Sequence, residues 1–183
     1  MKKLICILAS IIALGCTGQE RSKGKILVTY FSWGGNTREI AKQIQEQTGG
    51  DLFEIVMVNP YSSDYNKCVE QARKEQQDNA RPEFTGKVKD METYDVIFVG
   101  YPNWCGSMPM VLFTFLEQYD LSGKTIIPFC THGSGHWGRS VEDLKQLCPK
   151  STVLEGFAVH GNRVKNQETK ENLSKWLQEA GLR

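Results

Sequence analysis

Apolar and polar positions fall into alternating blocks from Lys25 to the C-terminus. Ile26–Phe31 is an apolar run of strand length. From Thr37 to Thr48 the period changes to that of a helix, with Ile40, Ala41 and Ile44 on one face and Gly49-Gly50 as the stop. Leu52–Val58 predicts a second strand, ended by Asn59-Pro60. A polar helix follows over Asp64–Asn79, whose thin stripe of Tyr65, Val69 and Ala72 places it on the surface. Arg81–Glu92 reads as loop. Val96–Tyr101 is a third strand, apolar throughout. Pro109 opens a helix carrying Val111, Leu112, Phe115 and Leu116. Thr125–Cys130 is a fourth strand, Ser140–Leu147 a helix, Thr152–Val159 a fifth strand and Glu168–Glu179 the last helix.

Strands that are apolar on both faces and alternate with helices belong in a parallel sheet covered on both sides. Right-handed crossovers then leave few topologies. The expected fold class is α/β, a doubly wound five-stranded parallel sheet of order 2-1-3-4-5. Ligands of such sheets bind beyond the carboxyl ends of the strands, where the winding reverses.

The turns at those ends carry the unusual residues. After the first strand comes Ser32-Trp33-Gly34-Gly35-Asn36-Thr37, leading straight into a helix. Backbone N–H groups at a helix N-terminus converge on an anion, and the helix dipole favours its charge. Gly34 and Gly35 permit close approach and positive φ, while Ser32, Asn36 and Thr37 add hydrogen-bonding side chains. The turn lacks the lysine of a G-x-x-x-x-G-K-[ST] loop and is not G-x-G-x-x-G. It suits a phosphate that is held and left unreacted. The plainer alternative is a strand–turn–helix with Thr37 as N-cap.

After the third strand comes Pro102-Asn103-Trp104-Cys105-Gly106, and after the fourth Thr131-His132-Gly133-Ser134-Gly135-His136-Trp137. Tryptophan on a loop needs a partner. A flat aromatic ligand supplies one for Trp104 and Trp137; folding back onto the core is the other possibility.

These residues carry a resemblance. Tyr-Phe-Ser-Trp-Gly-Gly-Asn-Thr-Arg-Glu-Ile-Ala (Tyr30–Ala41), Gly-Tyr-Pro-Asn-Trp (Gly100–Trp104) and Thr-His-Gly-Ser-Gly (Thr131–Gly135) resemble the flavodoxin family, in its short-chain form, from Lys25 onward. The resemblance implies FMN, with its phosphate in Ser32–Thr37 and its isoalloxazine between the loops Pro102–Gly106 and Thr131–His136. Ser32, Asn36 and Thr37 would meet phosphate oxygens together with amides from Trp33 to Thr37. Trp104 would stack on the ring. Amides of Asn103–Gly106 and Gly133–Gly135 would meet its pyrimidine edge, and Thr131 and His132 would border the ring or ribityl chain. The chain departs from acidic flavodoxins in having no Asp or Glu in either ring loop, and in carrying His132 and His136 there. Such surroundings disfavour the negatively charged reduced ring less. The potential for the second electron should therefore lie above that of acidic flavodoxins.

The N-terminus is organised differently. Lys2-Lys3 precede an apolar run, Leu4–Leu14, interrupted by Ser10 and too short to span a bilayer comfortably. It reads as a signal peptide covering 1–15. Ala13-Leu14-Gly15-Cys16 resembles the lipobox of bacterial lipoproteins, although Ala13 stands where Leu is usual. Cys16 is the expected lipidation site and 16–24 a polar tether, followed by one domain over 25–183. Cleavage without lipidation is the alternative. The expected protein is exported and anchored to a membrane by its lipid alone. No twin-Arg precedes the apolar run, so export of the unfolded chain is expected, with the cofactor acquired afterwards.

Composition adds bounds. The 183 residues, 40% of them hydrophobic, suffice for one full core. A formal charge of +1 without a basic run gives no reason to expect nucleic acid. Cys68, Cys105, Cys130 and Cys148 form no zinc or C-x-x-C spacing; an exported location permits a disulfide among them, and Cys130 reads as a packed thiol.

Ser134 lies outside any G-x-S-x-G elbow, and no catalytic acid, base or nucleophile set is visible. The expected function is electron transfer by FMN, with redox partner proteins as yet unspecified. The alternatives are an NAD(P)H-dependent quinone or nitro-compound reductase on the same scaffold, and a flavin-free binding module.

Overall fold

The computed structural model describes residues 24–183. The signal segment 1–15, Cys16 and the tether up to residue 23 lie outside the described residues.

A parallel sheet forms the centre. Its strands are β1 (Ile26–Tyr30), β2 (Asp51–Glu54), β5 (Val96–Pro102), β6 (Thr125–His132) and, in succession along the far edge of β6, β7 (Thr152–Val153) and β8 (Phe157–His160). The order is β2-β1-β5-β6-β7, with β8 also on β6, which is the expected 2-1-3-4-5 winding. Register follows from alternation. Leu27 pairs with Ile97 and Val28 with Phe98, so successive side chains pass to opposite faces.

Each face has its own core. On one, Leu27, Ile97 and Ile126 meet Ala72, Leu112 and Leu144. Those last three come from α2 (Tyr65–Gln77), α3 (Met110–Glu117) and α4 (Ser140–Leu147). On the other, Val28, Phe98 and Phe129 meet Ile40 and Ile44 of α1 (Asn36–Thr48) and Leu173 and Leu177 of α5 (Gln167–Glu179). All seven of these side chains are essentially without exposed area. At about 25 cal/mol per Å² of apolar surface, two continuous cores of this kind supply the main folding drive.

Three local differences from the sequence reading have physical reasons. The fifth strand is broken at Leu154-Glu155-Gly156. Opposite the break, β6 carries Pro128, which has no N–H to donate to a neighbouring strand. The second strand is also divided. After Ile55 donates to the Tyr30 carbonyl at 2.7 Å, β3 (Val56–Met57) leaves the main sheet and pairs antiparallel with β4 (Phe84–Thr85), inside the expected loop. In α2 the buried positions are Cys68 and Ala72, whereas Tyr65 is 69% exposed. Tyr65 stands in the first turn, where the helix projects past the sheet toward the cavity described next.

Candidate functional site

A cavity of about 410 Å³ opens at the carboxyl ends of the strands. It is built from four turns. Ser32, Trp33, Gly34, Asn36 and Thr37 come from the turn after β1; Pro102, Asn103 and Trp104 from β5 and its turn. Thr131, His132 and Gly133 follow from β6. The fourth turn, His160-Gly161-Asn162 after β8, and Tyr65 of α2 complete it.

The first turn has the form of an anion cradle. α1 begins at Asn36, and Gly35 before it takes φ 90°, so the left-handed residue is Gly35 and not Gly34. The Ser32 hydroxyl accepts from the Gly35 N–H at 3.1 Å and shapes the turn from inside. The amides of Trp33, Gly34, Asn36 and Thr37 have no partner among the described residues. They are the orphan donors of a helix start, and an anion is their natural acceptor. Thr37 is not the N-cap. Its buried hydroxyl hydrogen-bonds the Thr131 hydroxyl at 2.9 Å, tying α1 to the end of β6.

The second turn is a tight reversal. Trp104 and Ser107 exchange backbone hydrogen bonds of 2.8 and 3.0 Å around Cys105 (φ 51°) and Gly106 (φ 80°). Two consecutive positive φ values are those of a type I′ turn, and they force Cys105 into a conformation better suited to Asn or Gly. The Asn103 N–H donates to the Thr131 carbonyl at 2.8 Å, and its side-chain amide donates to the Gly135 carbonyl at 3.1 Å and to that of His136. The second and third turns are thereby fastened together. The amides of Asn103 and Trp104 are already bonded, so of the expected edge donors in this turn Cys105 and Gly106 remain; Gly133, Ser134 and Gly135 remain in the next.

Not every expected site residue borders the main cavity. Gly35, Cys105, Gly106, Ser134 and Gly135 lie outside its wall. Cys105 faces a smaller pocket of about 180 Å³ that also touches Trp33, Tyr65, Asn103 and Trp104. Trp137 folds back onto the core instead of facing a ligand. Trp104 does both. It packs on the core, meets Phe31, Tyr61 and Trp33 edge to face at centroid distances of 5.7, 4.9 and 6.2 Å, and still lines the cavity. Trp33 is 39% exposed and donates its indole N–H to the Ser62 carbonyl at 3.1 Å. The aromatic wall thus has three members, Trp33, Tyr65 and Trp104, of which the motifs singled out one.

The turn after β8 was missed. Its signal was present: Gly and Asn follow directly on a strand's carboxyl end, the same placement that marked the other three turns. Gly161 leaves room there for the Asn36 side chain, because a Cβ would lie 2.7 Å from its nitrogen and the amide would have to shift. Its neighbour His160 stands 5.8 Å, ring to ring, from His132.

The cavity's charge is set by what lines it. Among the described residues no carboxylate does so. Burial, followed by the neighbouring His136 and His160, holds His132 below the ordinary imidazole value. Away from the cavity, burial pushes the Cys130 thiol up to about 12 and that of Cys148 to about 11, so both are inert. The four cysteines among the described residues are free thiols.

Winding, switch-point cavity and phosphate-type turn define a nucleotide- or flavin-binding α/β protein of the doubly wound class. A Flavodoxin family model matches residues 25–180, and the chain belongs to that family. It is 34% identical to a proposed flavoprotein from Bacteroides eggerthii, with a TM-score of 0.75 over 87% of this chain and 99% of that one. A second proposed flavoprotein, from Bacteroides uniformis, is 29% identical, with a TM-score of 0.75 over 86% and 99%. A flavoprotein from Lactobacillus acidophilus, solved in complex with FMN, is 26% identical, with a TM-score of 0.66 over 74% and 93%. Among curated proteins none matches the chain.

Proposed function

We propose that the chain is an FMN-binding electron-transfer flavoprotein. The observation that carries this reading is the joining, in one cavity, of a lysine-free anion cradle and a three-member aromatic wall. The volume of about 410 Å³ falls within the range of small-molecule sites, roughly 300–1,000 Å³. The donors fit as well. The unpartnered amides of Trp33, Gly34, Asn36 and Thr37, with Ser32 and Asn36, would hold the phosphate. Trp104, with Trp33 and Tyr65 beside it, would flank the ring. The amides of Cys105–Gly106 and Gly133–Gly135 would meet its polar edge, and Thr131 and His132 would border it. The FMN complex of the Lactobacillus acidophilus relative supports the same ligand here.

Bound FMN would supply reversible electron transfer. The protein's part is to bind, orient and set the charge around it. With no carboxylate on the wall and histidines in its place, the cost of a negative ring is reduced. A redox titration of the FMN-loaded protein against dyes of known potential tests this. The expected result is a second-electron potential above that of acidic flavodoxins; a very low one overturns the electrostatic account.

One feature favours a second reading, an NAD(P)H-dependent quinone or nitro-compound reductase. The smaller pocket shares four residues with the main cavity, which is where a second planar molecule would enter. Sustained NAD(P)H oxidation with a quinone would establish turnover; its absence, with reversible reduction by a dye, supports the carrier.

The N-terminal residues complete the proposal. Removal of 1–15 and lipidation of Cys16 would leave 20 basic against 21 acidic residues and tether the domain through 16–24 to a membrane surface. An anchored carrier serves redox partners at that surface. Intact mass of the membrane-fraction protein tests this: a lipid-modified chain beginning at Cys16 is expected, and an unprocessed chain would contradict it.

A further inference from the structure

The chain contains three histidines, and all three meet at the edge of the cavity. His132 ends β6, His136 follows in the next turn, and His160 ends β8. The rings of His132 and His136 lie 4.3 Å apart at 34°, nearly stacked. His160 approaches His132 edge-on at 5.8 Å and 75°. His132 and His160 line the cavity, and His136 backs His132 from outside.

The cluster is held in place by its backbone. His136 takes φ 44°, a left-handed conformation that a β-carbon disfavours, so the turn must be over-determined. Asn103 supplies part of that constraint by donating to the His136 carbonyl. The His160 Nδ1 accepts from the Asn162 N–H at 3.4 Å, which leaves its proton on Nε2. The Nδ1 of His132 is buried and has no partner among the described residues, although the residue is only 9% exposed. A buried polar atom without a partner costs free energy unless something uses it.

Groups that face the cluster are few. Cys130, on β6, directs its neutral thiol at the His136 carbonyl. Tyr65, from α2, stands on the opposite wall, and α1 presents only Asn36 and Thr37. Arg139, before α4, is paired with Asp143 at 3.2 Å, and Arg163 stands on the turn after His160. Among the described residues no carboxylate on the cavity wall neutralises a charged imidazole. Positive charges on rings this close repel one another, and an anion beside them offsets that repulsion. His132 begins below the ordinary imidazole value, so the site is set to gain a proton when negative charge arrives.

We infer that His132, His136 and His160 form one proton-holding site for the cofactor, so that reduction of bound FMN draws a proton onto the cluster. This rests on the FMN reading above and gives it a specific regulation: electron transfer coupled to proton uptake by the protein. The balance is simple. Two equivalents of a reduced one-electron dye are oxidised. The ring receives two electrons and one proton from water. A second proton from water goes to an imidazole nitrogen, where the imidazolium offsets the ring's single negative charge.

The test compares the midpoint potential against pH for the FMN-loaded wild type and for His132→Gln, His136→Gln and His160→Gln. The wild type is expected to take up one proton more per two electrons than His132→Gln within the cluster's titration window. Histidine C2–H resonances, followed by NMR in the oxidised and dye-reduced states, give a second readout. Their midpoints are expected to rise on reduction by one pH unit or more, a tenfold gain in proton affinity. Equal proton counts and unmoved histidine titrations, with FMN bound, overturn the inference alone. Failure of the wild type to bind FMN overturns the functional reading, and this inference with it.

Discussion

The hydroxyls of Thr37 and Thr131 lie 2.9 Å apart, joining residues 94 positions apart in the chain. One belongs to the first turn of α1, beside the anion cradle; the other is the penultimate residue of β6, beside His132. Both residues are buried, at 1% and 4% exposure, so water competes little for either hydroxyl. This bond fixes the distance between the two ends of the cavity.

Replacing one partner should therefore be worse than replacing both. Thr37→Val leaves the Thr131 hydroxyl buried and unpaired, at a cost of about 1–3 kcal/mol. The double variant, Thr37→Val with Thr131→Val, should recover part of that loss. Chemical denaturation of the four members of the cycle measures the coupling. Additive losses would show that the bond does not hold the two turns together.

Gly161 gives a second expectation. Its missing side chain leaves room for the Asn36 amide, 2.7 Å from where a Cβ would stand. Gly161→Ala should displace Asn36 from the cradle and weaken FMN binding by roughly tenfold, about 1.4 kcal/mol. The displaced atom is the end of one side chain at the start of α1, so the melting temperature should move little. Calorimetric titration and thermal unfolding on the same sample separate the two effects. Unchanged affinity would remove Asn36 from the phosphate site.

Trp33 and Trp104 should part company under substitution. Trp104 packs edge to face on Phe31 and Tyr61 and belongs to the core. Trp104→Ala should cost roughly 2 kcal/mol of stability as well as ligand affinity. Trp33 is 39% exposed, so Trp33→Ala should lower affinity with little loss of stability. Urea unfolding together with FMN titration distinguishes them, and equal stability losses would contradict the assignment.

The buried His132 predicts how the ligand-free protein responds to acid. Its folded-state value is lowered, so below the ordinary imidazole value of about 6.5 the unfolded chain binds more protons than the folded one. Stability is then full above that pH and falls as the pH drops toward the lowered folded value. Melting temperatures between pH 7.5 and 5 should decline for the wild type and decline less for His132→Gln. Parallel curves would mean that His132 is solvated in the folded state.

Much of this was legible before any coordinates. The continuous apolar runs Ile26–Phe31 and Val96–Tyr101 and the stripe of Ile40, Ala41 and Ile44 dictate a sheet covered on both faces, and the structure has one. The Ser32–Thr37 turn could be read because a helix start, two glycines and hydroxyls lie consecutively. What could not be read depends on chain segments far apart. The break between β7 and β8 reflects a proline on the adjacent strand, and propensity along Thr152–Val159 carries no trace of it. Trp137 and Trp104 look alike on their loops, yet one turns to the core and the other serves both core and cavity. That difference lies in which neighbours the fold supplies. His160 was passed over for the same reason: its meaning comes from His132, 28 positions earlier on a neighbouring strand. The Thr37–Thr131 bond, too, needs the crossover that brings β6 beside α1.

The most direct test of the account is titration of the chain beginning at Gln19 with FMN, followed by quenching of flavin fluorescence. The account predicts tight, saturable, one-to-one quenching that weakens in Trp104→Ala. Absence of saturable binding would contradict it, leaving the doubly wound fold in place and the cradle and aromatic wall to a different ligand.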